Sequence, residues 1–158
     1  MIFSYAWRVQ RALDRAWQPG SIPANHAVIV SDWHLGDGSP TDDFSKNETI
    51  GIALLNYYES KRFGLISVGD LYDLQETSWA RAQKVHGGRL WVLSSALKLD
   101  GNHDQMPGGM GDQSIALRLP CGFEFLVLHG HQGSVWNDYL LRITSWLSKH
   151  VWRRLQLL

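Results

Sequence analysis

"FGLISVGD", residues 63–70, is the stretch on which the fold turns. It is a short apolar run with no polar alternation, and it stops abruptly at Gly69 and Asp70. A run of that length, bounded by turn residues, reads as a strand buried on both faces, the kind found in an α/β sheet. "HAVIVSD", residues 26–32, repeats the type and again ends in aspartate. Between the two, a helix is expected over about 42–61, through Phe44, Ile50, Leu54, Leu55 and Tyr58. Strand, helix, strand in that order predicts an α/β class.

Moving outward, Ile2, Tyr5, Ala6, Val9, Leu13 and Trp17 give residues 2–17 a helical spacing, and "QPGSIP" stops it. Residues 76–97 look mostly helical, with Gly87 and Gly88 as a break. "ALKLDGNHD", 96–104, predicts a third, short strand. "SIALRLPCGFEFLVLHGH", 114–131, reads as two strands joined by a turn at Pro120 to Gly122. From Ser134 the pattern is one long helix, to about residue 156. With no repeat, linker or low-complexity tract, residues 1–158 are expected to form a single domain.

Composition narrows the classes. A chain of 158 residues, 44% hydrophobic and 19% charged, suits a globular domain. The formal net charge is zero, so no global field draws it to nucleic acid, whose backbone usually needs a basic stripe. One cysteine, Cys121, excludes an internal disulfide. No apolar run approaches the roughly 20 residues that span a bilayer, and "MIFSYAW" lacks a small-residue cleavage site, so a cytoplasmic protein is expected. Of eight tryptophans, most fall in helical segments. They are expected to anchor helices onto the sheet, with an interfacial surface near lipid as the other reading.

In open α/β sheets, ligands bind beyond the carboxyl ends of the strands. The first strand delivers Asp32 and His34 there, the second Asp70 and Asp73. The third delivers Asn102 and His103, and the last clear strand His129 and His131. Carboxylate, imidazole and amide groups on one edge form a donor set for a pair of divalent cations. They suit manganese, iron, zinc or nickel, and the absence of thiolates argues against a closed structural zinc site. In Asp32-x-His34, strand alternation is expected to put both side chains on one side. Gly69, Gly101 and Gly130 let the chain turn sharply beneath them.

The motifs D-x-H, G-D-x-x-D, G-N-H-D and H-G-H, in that order, resemble the calcineurin-like metallophosphoesterases over about residues 27–138. "SDWHLGDGSPTDDF" and "HGHQGSVWND" look most like the bacterial branch of UDP-2,3-diacylglucosamine pyrophosphate hydrolases and their relatives. The protein Ser/Thr phosphatases differ, with Arg-Gly after G-D-x-x-D and with G-N-H-E; here Leu74 and Gln75 follow, and Asp104 closes the turn. The resemblance implies an αββα sandwich of two mixed sheets with flanking helices. It implies a hydrolase of phosphoester or pyrophosphate bonds with two divalent cations, manganese foremost. Asp32 and His34 would hold the first ion, Asp70 would bridge, and Asn102 and His129 would hold the second. His103 would contact the phosphate and assist the leaving group, Asp73 would orient His103, and Asp104 would be a turn residue. Two ions about 3.5–4 Å apart lower the pKa of a shared water, and the resulting hydroxide attacks phosphorus in line. The implied partner is a phosphorylated small-molecule or lipid-linked substrate, with peripheral contact at the inner membrane.

The family closes its metal motifs with G-H-x-H. Here Gly130-His131 is followed two residues on by Gly133. His150 sits among Lys149, Arg153 and Arg154, a neighbourhood that disfavours a cation. Trp33 stands where a smaller aliphatic residue is usual. The expectation is a domain whose C-terminal strands are missing. His131 or a second subunit could then complete the ligand set, and the alternative is a catalytically impaired or inactive remnant that acts as a binding module.

Overall fold

A computed structural model of the chain describes residues 5–16, 26–88, 96–104, 114–118, 122–131, 143 and 146–156. Helix α1 (Tyr5–Asp14) is followed by β1 (Ala27–Val30), α2 (Glu48–Ser60), β2 (Gly64–Val68), α3 (Trp79–His86), β3 (Leu97–Leu99), β4 (Ser114–Arg118) and β5 (Glu124–Leu128). A π-helical turn, Ser148–Trp152, runs into α4 (Arg153–Gln156). The class is α/β. Strands β1, β2 and β3 form one parallel sheet in that order, and β4 and β5 form an antiparallel pair. Each sheet is thus of one sense among the described residues, where mixed sheets were expected.

Strand alternation explains how the layers meet. On β2, Ile66 and Val68 face one way and join Leu99 of β3 with Ile115 and Leu117 of β4 in one buried cluster. Leu65 of β2 faces the other way, toward Leu35, Phe44, Leu55 of α2 and Leu71. The antiparallel pair therefore covers one face of the parallel sheet, and α2 with the segment after β1 covers the other. Ser114 lies on the opposite face of β4 from Ile115, and its hydroxyl donates to the carbonyl of Ala12 at 2.7 Å, which seats α1 there.

Several expectations are corrected. The helix expected over 42–61 is a 3-10 turn, Phe44–Lys46, followed by α2. The Asp42 carboxylate takes the N–H groups of Phe44 and Ser45, so the chain is capped there before α2 begins. The helix expected over 76–97 spans Trp79–His86, capped by Ser78, whose hydroxyl accepts from the N–H of Arg81; residues 89–95 lie outside the described residues. Strand β1 is only half-buried because it is the edge of its sheet among the described residues, with Ile29 exposed. The turn at 120–122 and the helix over 134–142 fall largely or wholly outside the described residues. Trp7, Trp79, Trp146 and Trp152 are 40–59% exposed, Trp33 is half-buried against Phe44, and Trp17, Trp91 and Trp136 lie outside the described residues. No helix among the described residues is long and apolar enough to cross a membrane.

Candidate metal centre

The parallel sheet does not stop cleanly at its strand ends. The N–H of Asp32 donates to the carbonyl of Gly69, that of His34 to Asp70 and that of Leu35 to Leu71. The segment after β1 is thus laced to the segment after β2. Asp32, His34 and Asp70 all take left-handed backbone conformations, with φ of 56°, 49° and 50°. Non-glycine residues in that region carry strain, which collects at functional sites. The reason expected for Asp32 and His34 lying together is therefore corrected: they lie beyond β1, and strand alternation does not govern them.

Asp70 is buried, and the groups around it converge. Its Oδ2 lies 3.7 Å from Nε2 of His34 and 3.5 Å from Nε2 of His129. Oδ1 of Asp32 lies 3.9 Å from Nε2 of His34 and 3.4 Å from Nε2 of His129. Two donors that share one cation at bond lengths of about 2.1 Å can be at most about 4.2 Å apart. All four spacings satisfy that limit, and the oxygen and nitrogen donors fit a borderline divalent cation. Two sets of three donors gather within 4.8 Å: His34, Asp70 and His103, and Asp32, Asp70 and His129. Asp70 belongs to both. Asp32 and His34 also stand 3.9 Å apart, so each lies within sharing distance of the other as well as of its own set.

Asp70 is fixed from behind. Its Oδ1 accepts from the N–H of His103 at 2.8 Å. Gly101 is needed for space, because a Cβ there would lie 2.0 Å from Oδ1 of Asp70. Gly69 has φ +72°, and a Cβ on it would meet the His129 ring at 2.7 Å. Asp104 does more than turn the chain. Its buried carboxylate accepts from the N–H of Gly101 and, across 33 positions of sequence, from that of Leu71, each at 2.7 Å. Burial pushes its carboxyl up, as does the Asp70 charge, against the pull of those N–H groups. The Gly101-to-Asp104 spacing is local and readable in the sequence; the bond to Leu71 is not.

His103 stands beside the cluster with its ring edge-on to His34, centroids 4.5 Å apart. Its Nδ1 is 3.0 Å from Oδ1 of Asp73. Burial pulls the imidazole down, but the hydrogen bond to Asp73 and the charges of Asp73, Asp70 and Asp104 outweigh it, so its pKa lies above the usual value. Burial likewise pushes Asp32 up, and Ser31, His129 and His34 outweigh that to hold its carboxyl below the usual value. Asn102 lies in the same turn, where its backbone carbonyl accepts from Nε2 of Gln75 at 2.9 Å. His131 is buried with Nδ1 3.2 Å from Nδ1 of His129. Burial first, then the His129 charge, depress it to about 4, so it is neutral at physiological pH. His150 packs on Trp146 and belongs to neither donor set.

Comparison of the chain with protein-family models, with curated proteins and with solved structures finds no match in any of the three. The donor geometry itself therefore supplies the grounds for a functional reading.

Proposed function

We propose that this chain is a calcineurin-like metallophosphoesterase with an αββα architecture, hydrolysing phosphoester or pyrophosphate bonds of a phosphorylated small molecule. Asp32, His34, Asp70, Asn102 and His129 would hold two divalent cations, with manganese preferred. The observation that supports this best is the buried Asp70 carboxylate, shared by both donor sets. When bound, such cations polarise the phosphoryl group and activate water. The protein's own part falls to His103 and Asp73. With Nδ1 held by Asp73, the proton on Nε2 of His103 is the one to reach the leaving oxygen. Asp70 fixes the same residue through its backbone N–H.

The test is calorimetric titration with manganese beside manganese-dependent hydrolysis of bis-p-nitrophenyl phosphate. Asp70→Asn is expected to lower bound metal at both positions and abolish hydrolysis. Normal metal content and full activity in that variant would sink the dinuclear reading. One of His103's ring nitrogens also falls within one donor set, which favours a second role for it as a ligand. His103→Ala separates the two. Retained metal with turnover reduced about 10²–10⁴-fold marks a proton donor, whereas lost metal marks a ligand.

A further inference from the structure

A groove of about 330 Å³ opens beside the cluster, between the residues that follow β1 and the start of α2. Asp32 and His34 line it, so it is continuous with the candidate metal centre. Trp33, between them in sequence, forms a wall with Phe44, their rings 5.2 Å apart. Ile50 and Leu54 of α2 complete the apolar lining, and both are turned to solvent, 72% and 40% exposed. Gly51 lets the helix come close, since a Cβ there would lie 2.8 Å from the Trp33 ring and 3.0 Å from that of Phe44. Ile50 and Leu54 thus stand open, backed by the half-buried Trp33 and the buried Phe44, along a path that ends at two donors.

We propose that this groove receives an uncharged apolar group, an aromatic ring or short branched aliphatic chain, carried by the phosphate held at the cluster. The inference rests on the metallophosphoesterase reading and names a substrate class for it. The volume lies at the low end of the range for small-molecule sites, and apolar walls with few polar groups are their usual lining. The charged groups along it are carboxylates, Asp32 at the inner end and Asp43, and no Lys or Arg lines it among the described residues. A second phosphate or another anion would meet repulsion there, and an apolar group meets none. Trp33 offers such a group a rigid face.

The experiment uses the full chain loaded with zinc and titrates it calorimetrically with methylphosphonate and phenylphosphonate. Neither probe can be hydrolysed, so the readout is binding alone. Phenylphosphonate is expected to bind at least 10-fold tighter. Ile50→Asp should erase that advantage, and Ile50→Ser should reduce it without adding charge and leave methylphosphonate unchanged. Both changes fall on an exposed side chain. Equal affinity of the two probes for the unaltered chain would overturn the groove as a subsite while leaving the metal centre standing. Binding of neither probe would overturn both readings together. A preserved preference in Ile50→Asp would overturn the assignment to this groove.

Discussion

His103 has its Nδ1 bonded to Asp73 and two further carboxylates, Asp70 and Asp104, acting on it through their charges. Its protonated form is therefore retained to higher pH than in an ordinary histidine. Removing the Asp73 charge and hydrogen bond takes away the principal cause of that rise, while burial, which pulls the other way, remains. Asp73→Asn is thus expected to lower the His103 pKa and to move the alkaline limb of hydrolysis to lower pH. NMR titration of the His103 ring against the pH–rate profile checks this, and an unmoved ring pKa would remove Asp73 from its positioning role. At this scale the sequence was informative: the order of Asp32, His34, Asp70, Asp73, His103 and His129 along the chain anticipated one cluster, and they form one. The backbone beneath it was not legible, because its three left-handed conformations are not encoded by motif spacing.

Between elements, a buried ionisable pair lies away from the cluster. His86, at the end of α3, is buried with Nε2 2.9 Å from Oδ2 of Asp42 and Nδ1 3.3 Å from Oε1 of Glu48. Asp42 also accepts from the N–H groups of Gly38, Phe44 and Ser45, so one carboxylate ties the loop after β1 to α3. Burial pushes that carboxyl up, but the bonds from His86 and Gly38, the His86 charge and the bond from Ser45 outweigh it, and its pKa lies below the usual 3.8. A carboxyl depressed in the fold contributes stability above its unfolded pKa, near pH 4, and loses it as pH falls through the folded value. Asp42→Asn should therefore cost on the order of 3 kcal/mol at neutral pH and flatten the loss of stability below pH 4. Urea unfolding across pH checks this; an unchanged acid slope would discount the pair. Nothing local marked it in the sequence, since Asp42 and His86 are 44 positions apart. The strands were legible because apolar runs declare themselves locally, whereas the start of α2 was not, because a side chain competes for the backbone at Phe44 and Ser45.

Across the whole molecule, the two sheets meet in one apolar cluster and again at the candidate metal centre. His129 follows β5 of the antiparallel pair, while Asp32 and Asp70 follow β1 and β2 of the parallel sheet, and the three converge. A cation there would join the sheets at their carboxyl ends and relieve the repulsion between two carboxylates whose oxygens lie within 4.8 Å. Binding that occurs only in the folded state raises stability by mass action, about 2.7 kcal/mol at a free concentration 100 times Kd. For a chain of this length each kcal/mol shifts Tm by roughly 2–4 °C, so saturating manganese should raise Tm by about 5–10 °C over the chelated protein. The rise should vanish in Asp70→Asn, which removes the oxygen common to both donor sets. Calorimetric melting of both proteins, with manganese and with chelator, provides the check. A Tm indifferent to metal in the unaltered chain would mean that the donors gather without holding an ion, and that the sheets are joined by their apolar cluster alone.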